Sequence, residues 1–354
     1  MQVWIRRCAL LLLPLGFLAV MVAAPLLSLA FYDGEGAWVE VVADDYMRLR
    51  LGWTVAQAVL TCVLVTALGV PAAWVLARMD FAGRRMVLRL LMLPFVMPTL
   101  VAGMGVLALF GAHGILAAGW QDTPWLLIYG NVFFNLPVLV RSAYQGFVRV
   151  PQARLLSAQS LGADAWRRFV WVEWPVVRAW VAGGACLVFL YCFSGFGLAL
   201  LLGGERFATV EVEIYRLVAY ELDMARASVL VWLVLAATAA AGGLYAYWSK
   251  RVAVDKSVSP LPPRAPVRAW EKWLTATVLA MLVLCCLLPL AAVWLKAAAA
   301  GSSWAVLLEA QTWAAAWNTI RFSAAAVAAA TVLGVLYAAA ARQMAWLRAL
   351  MFLP

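Results

Sequence analysis

Charge is scarce in this chain. Only 12% of its 354 residues are Asp, Glu, Lys or Arg, against about 25% in a soluble globular domain. With 66% hydrophobic residues and a mean hydropathy of +0.92, there is too little polar surface to cover a soluble core, so the bilayer is the expected solvent. The single histidine, His113, sits in a short glycine-rich loop and reads as a solvated side chain. Six cysteines (Cys8, Cys62, Cys186, Cys192, Cys285 and Cys286) lie inside apolar runs at no zinc-binding spacing and read as small packing residues. There is no Gly-x-x-x-x-Gly-Lys-Ser/Thr loop, so any ATP must be bound by another subunit. Paired carboxylates and Ser/His/Asp groupings are missing from the apolar runs. An enzyme is not expected, and neither catalytic residues, a metal nor a cofactor is expected in this chain. The net charge of +10 sits in short clusters between apolar runs, as topology signals do, rather than in a nucleic-acid-binding patch.

What is abundant is apolar sequence in runs long enough to span a membrane, for which a helix needs about 20 residues. Candidates lie near 8–31, 53–77, 86–110, 126–146, 180–202, 228–248, 273–295 and 317–341, with a ninth beginning near 346. Each must be helical, because backbone groups in lipid have to be satisfied within the segment. The fold class is therefore an all-α polytopic membrane protein. The first run is longer than the apolar region of a signal peptide and is expected to remain as a helix. Arg6 and Arg7 place the N-terminus in the cytosol by the positive-inside rule. The acidic loop with Asp33, Glu35, Glu40, Asp44 and Asp45 then falls outside, and Arg78, Arg84, Arg85 and Arg89 fall inside. The alternation continues, with 111–125 outside, 141–178 inside, 204–227 outside and 250–272 inside.

Ser257-Val258-Ser259-Pro260-Leu261-Pro262-Pro263 marks 250–272 as an extended cytoplasmic linker. It divides a complete six-helix unit, 1–249, from a second unit, 273–354. The second unit echoes the first. Thr66-Ala67-Leu68-Gly69-Val70 recurs as Thr331-Val332-Leu333-Gly334-Val335, Thr54 after Trp53 is matched by Thr319 near Trp317, and Leu88 to Pro94 recurs with one insertion as Leu347 to Pro354. The second repeat is expected to be incomplete, the chain being a fragment of a longer polypeptide or the product of a truncated gene.

The basic loop 147–178 is too patterned to be an idle connection. Gln152 to Leu161 is a helical stretch, Gly162 can take the positive φ that ends it, and Asp164 can cap a following helix through Trp166 and Phe169. Pro175 starts the return to the membrane, so two short helices at an angle are predicted. The spacing of Ala158, Gly162, Val172 and Pro175 resembles the EAA loop of bacterial ABC-importer permeases, whose pattern is Glu-Ala-Ala, three residues, Gly, nine residues, Ile-x-Leu-Pro. Here Leu156 replaces Glu, Ser157 the first Ala, and Val172 and Trp174 the Ile and Leu. A partnerless amphipathic hairpin at the interface is the competing reading.

Further segments carry the resemblance: Phe133-Phe134-Asn135-Leu136-Pro137, Trp171-Val172-Glu173-Trp174-Pro175, Cys192-Phe193-Ser194-Gly195-Phe196 and Ala208 to Tyr215. Together they are similar to the permeases of bacterial thiamine ABC importers, close to the ferric-iron permeases. The resemblance implies the type I ABC-importer transmembrane fold in the inner membrane, with two fused six-helix halves. It also implies a coupling loop on an ATP-binding cassette subunit dimer that binds ATP and magnesium, and a periplasmic substrate-binding protein as donor. The implied cargo is thiamine or a thiamine phosphate, with ferric iron as the alternative. A secondary transporter would place Asp, Glu or Lys near mid-span, and none is found there.

Polar and helix-breaking residues within spans are the candidates for the translocation pathway. Asn131 and Asn135, four apart, share a helix face. Ser194 precedes Gly195 and Gly197, and Pro94 and Pro98 break the third helix. Interhelical hydrogen bonding or kinking is the alternative role for each. The segment from Val210 to Arg226 alternates charge with apolar residues and reads as a surface helix, either facing a binding protein or an ordinary loop helix.

Overall fold

A computed structural model describes residues 16–31, 36–116, 119–249 and 259–343. Among these every regular element is a helix, besides two isolated β-bridges. In chain order the α-helices are α1 (Gly16–Leu29), α2 (Ala37–Ala43), α3 (Asp45–Arg78), α4 (Arg84–Leu90), α5 (Leu93–Val96), α6 (Thr99–Phe110), α7 (Pro124–Val148), α8 (Gln152–Ser160), α9 (Ala165–Phe193), α10 (Phe196–Leu202), α11 (Val210–Arg216), α12 (Met224–Ser249), α13 (Ala269–Ala298) and α14 (Ala310–Gln343), with a π-turn at Leu217–Glu221 and a 3-10 helix at Gly301–Leu308 besides. Six are long and apolar enough to cross a membrane: α3, α7, α9, α12, α13 and α14. Arg6, Arg7, residues 250–258, the ninth run near 346 and the repeat segment 347–354 lie outside the described residues.

The chain forms two units, residues 37–296 and residues 1–36 with 297–354. In the second, α1 is a short apolar helix and α14 a long one. Trp313 Nε1 donates to Leu307 O at 2.8 Å where α14 begins, and the Thr319 and Thr331 hydroxyls each bond to the carbonyl four residues back.

The larger unit is built around α3, α7 and α9. Asp44 caps α3, its side chain accepting from Tyr46 N, and the 34 residues of α3 rise roughly 50 Å at 1.5 Å each. Gly69 lets α7 approach closely, since a Cβ there would lie 2.9 Å from Leu139 Cδ2. α13, which the sequence assigns to a second unit, packs here against α3 and α7, and Tyr129 OH donates to Leu284 O at 2.9 Å.

Two expected spans are not single helices. The run 86–110 is cut after α5, and its halves meet at 105°. Pro98 forces Met97 into an extended conformation (ψ 146°) and takes the N-cap of α6. The run 180–202 is likewise not one span: α9 starts at Ala165, ends at Phe193, and is followed by a break at Ser194-Gly195 before α10. Ser194 Oγ turns back to Leu190 O at 2.7 Å there.

Three of the four π-turns among the described residues share one cause; the fourth, Leu217–Glu221, has no proline after it. The three cover Ala19–Ala23, Phe169–Glu173 and Val283–Leu287, and each is followed two residues later by a proline: Pro25, Pro175 and Pro289. A proline ring clashes with the carbonyl four residues back and offers no N–H. Widening the preceding turn, so that Trp174 N reaches Phe169 O five residues back, relieves the clash without ending the helix.

Loop contacts sort into two ends. At one, Tyr46 OH donates to Glu213 Oε2 (3.0 Å), Arg50 to the carbonyls of Glu205 and Arg206 (2.7 Å each) and Trp53 Nε1 to Phe207 O (2.9 Å). At the other, Arg78 meets Glu173 and Phe147 O, and residues 259–264 run beside 79–80 and 151–152. The grouping is the one that the charge alternation predicts.

Candidate functional site

The turn between α8 and α9 is closed by hydrogen bonds that explain its sequence. Gly162 N donates to Gln159 O and Ala163 N to Ala158 O, both at 3.0 Å, which is the Schellman arrangement for ending a helix. It needs a residue with positive φ just past the C-cap, and Gly162 sits at φ +78°. The four-residue step from Ala158 to Gly162 is therefore the step from the accepting carbonyl to the left-handed residue. Two positions on, Asp164 Oδ1 accepts from Arg167 N at 2.7 Å and caps α9. Arg168 Nη1 reaches Gln159 Oε1 at 3.1 Å and clamps the two arms together.

The predicted pair of short helices needs correction. The first arm is short, but the second is the start of the 29-residue α9, which runs on through the π-turn and Pro175. Pro175 does not start a separate helix, because the widened turn accommodates its ring. The arm that carries Trp166 is thus continuous with a span.

Ala158, Val172 and Pro175 come together along a groove of about 480 Å³ between the arms, beside Arg154, Leu161 and Trp171. Gly162 and Asp164 form the turn at its end. Leu161, Trp166 and Trp171 are 87%, 70% and 78% exposed, an apolar tip on a basic loop. Beneath, Phe169 stacks between Phe147 and Trp166 (6.3 and 5.9 Å between centroids).

The support under the loop is a buried ion pair that sequence reasoning missed. Arg78 Nε donates to Glu173 Oε1 at 2.7 Å, Arg78 Nη2 to Phe147 O at 3.0 Å and Trp74 Nε1 to Glu173 Oε2 at 2.9 Å. The available signal was a carboxylate inside the apolar Trp171 to Pro175 stretch of a basic loop.

The pathway candidates separate. Asn131 and Asn135 are buried between helices: Asn131 Nδ2 donates to Gln57 Oε1 (2.8 Å), Gln57 Nε2 to Cys192 O (2.8 Å) and Asn135 Nδ2 to Asn131 O (2.9 Å). They tie α7 to α3 and α9, and Asn135 Oδ1 is left without a partner. Ser194 is exposed at the α9–α10 break. Pro94 is buried in the first turn of α5, while Pro98 makes the 105° bend. The two breaks are neighbours, for a Cβ on Gly197 would lie 2.7 Å from Thr99 Oγ1. Phe95 bridges them, its ring 5.8 Å from Phe134 and 5.7 Å from Tyr191. Among the described residues no three His, Cys, Asp or Glu side chains are placed to hold a metal.

In sequence, the thiamine transport system permease protein ThiP of Salmonella typhimurium is 30% identical over 332 residues, covering 91% of this chain and 62% of that protein. ThiP of Brucella abortus is 34% identical over 239 residues, 64% of this chain and 44% of that protein. The chain thus spans less than two thirds of the length of these relatives. Among solved structures, a bacterial ABC transporter involved in import of the acidic polysaccharide alginate superposes with a TM-score of 0.60 at 15% identity, covering 71% of this chain and 98% of that one. The fold is shared at that level: an ABC-importer permease bundle. The family of binding-protein-dependent transport system inner membrane components matches residues 66–254, more than half of the chain, and this chain belongs to it.

Proposed function

We propose that the chain is the transmembrane permease of an ABC importer that moves thiamine or a thiamine phosphate across the inner membrane. The carrying observation is the α8–α9 turn, in which the Gly162 and Asp164 caps hold an exposed apolar tip on a continuous span. In this reading the basic end and the N-terminus face the cytosol, and the turn docks on an ATP-binding cassette subunit dimer that binds ATP and magnesium. A periplasmic binding protein delivers cargo to the other end. The six-helix unit 1–249, the linker 250–272 and a second unit from 273 are the arrangement that the similarity to longer thiamine permeases supports.

Docking that displaces the tip pulls on α9 directly, because no break separates Trp166 from the span. α9 ends at Ser194-Gly195, beside the bend at Pro98, so its movement reaches the aromatic trio at the two breaks. The test is labelled-thiamine uptake in vesicles holding this chain with its ATPase and binding-protein subunits. Uptake that needs ATP and the ATPase supports the proposal. Transport of ferric iron but not thiamine would replace the cargo, and uptake by the permease alone would favour a secondary transporter.

A further inference from the structure

The basic end holds a second cavity, separate from the groove that carries Ala158, Val172 and Pro175. It encloses about 490 Å³ between the far side of the α8–α9 loop, the end of α3 and the chain from Leu261 to Glu271. That volume lies within the usual range for a small-molecule site, roughly 300–1,000 Å³. Its floor is the stacked pair of Trp74 and Trp270, with ring centroids 6.1 Å apart. Four arginines and two glutamates line it. Glu173 is taken by Arg78 and Glu271 by Arg264. The Arg168 and Arg268 side chains form no ion pair among the described residues, so among these the lining holds two arginines more than glutamates. Arg78 adds a second sign of an unfilled role: its side chain is 6% exposed, yet its Nη1 has no hydrogen-bond partner. A guanidinium nitrogen left unpaired at that depth is costly unless an acceptor visits it.

We propose that this cavity binds a small phosphate-bearing anion that also carries a flat ring. Guanidinium groups match phosphate oxygens in geometry and charge, and the Trp74–Trp270 pair offers an aromatic surface for the ring. The walls come from α3, α8, α9 and the start of α13, so an occupant would brace the proposed docking turn against the helices behind it. The same phosphate chemistry is found on free metabolites and on lipid headgroups.

The test uses the full chain purified in a neutral detergent, titrated calorimetrically with inorganic pyrophosphate, inorganic phosphate and phenyl phosphate. Saturable binding is expected, weakened at least tenfold in an Arg168→Gln/Arg268→Gln double variant that elutes as a folded, monodisperse species, and weakened in the same direction by Arg268→Gln alone, which leaves the Arg168–Gln159 clamp in place. Neither side chain belongs to the buried Arg78–Glu173 pair, which keeps the variant foldable. Phenyl phosphate is expected to bind more tightly than inorganic phosphate, and Trp270→Leu to abolish the difference. Repeating the titration in nanodiscs with phosphatidylglycerol separates the sources: competition assigns the site to a headgroup, and retained binding to a free anion. No saturable binding at millimolar pyrophosphate, or wild-type affinity in the double variant, overturns the proposal. The assay involves neither transport nor the ATPase, so its failure leaves the permease reading intact.

Discussion

Arg78 and Glu173, 95 positions apart in the chain, face each other at 2.7 Å with side chains 6% and 5% exposed. The pair joins the end of α3 to the loop-proximal part of α9, and the Trp74 indole holds the second carboxylate oxygen. Removing one partner leaves a buried charge uncompensated, which typically costs about 3–5 kcal/mol. Glu173→Ala and Arg78→Ala are each expected to lower stability on that scale in detergent unfolding. The double variant Arg78→Met/Glu173→Leu should lose much less than the sum. Additive losses would show that the two side chains do not act as a pair.

Gly162 is expected to be intolerant for a reason of backbone alone. Nothing lies within 4 Å of a Cβ built there, so a larger side chain meets no obstacle, but φ +78° remains. Gly162→Val places a β-branched residue in the left-handed region, where even an ordinary L-residue pays roughly 1–2 kcal/mol. Gly162→Asn should be tolerated better, since Asn enters that region more readily. Co-purification of the ATPase subunit should fall with Val and be largely kept with Asn. Normal co-purification and transport with Val would remove the docking role of the turn.

Asp164→Ala removes the acceptor for Arg167 N and should weaken the first turn of α9 by about 1 kcal/mol. Asp164→Ser should restore most of it. The readout is hydrogen exchange at the Arg167 amide, which is expected to lose protection in the Ala variant alone. Equal protection in all three would mean that the cap does not hold the turn.

Asn131→Leu leaves Gln57 Oε1 without the donor that now reaches it at 2.8 Å. A buried acceptor stranded in this way costs about 1–3 kcal/mol. The expected outcome is a lower melting temperature with unchanged cargo selectivity. Altered selectivity at an unchanged melting temperature would instead assign Asn131 to the translocation pathway.

Much of the site was legible in sequence because capping is local. Gly162 and Asp164 announce a helix end and a helix start within three positions, and both hydrogen-bond patterns are present. Pro98 announced a break for the same reason. The break at Ser194-Gly195 was hidden, because the apolar run carries straight through it into Phe196 to Leu202. The length of α9 was hidden too, since a proline within a helical pattern ordinarily marks a start or a stop. The Arg78–Glu173 pairing was hidden, although a carboxylate inside the apolar Trp171 to Pro175 stretch marked one of its members. It depends on the packing of α3 against α9, and along the chain Arg78 looks like one more topology-setting charge.

Pro175 supplies the last prediction, which separates its two possible effects. If the π-turn at Phe169–Glu173 exists to relieve the proline ring, Pro175→Ala frees the helix to close into regular α-helix with one residue fewer in the widened turn. Residues on the loop side would then rotate by roughly 100° relative to the span, since an α-helix has 3.6 residues per turn. Trp166 and Arg168 would leave their present faces, and the Arg168–Gln159 clamp would break. Global stability should change little or rise slightly, because a helix-interior proline has been removed. Co-purification of the ATPase should nevertheless drop. Spin-label distances from residue 166 to a site on α3 would report the rotation directly. An unchanged distance together with unchanged docking would mean that the widened turn is held by the packing of Phe169 between Phe147 and Trp166 rather than by the proline.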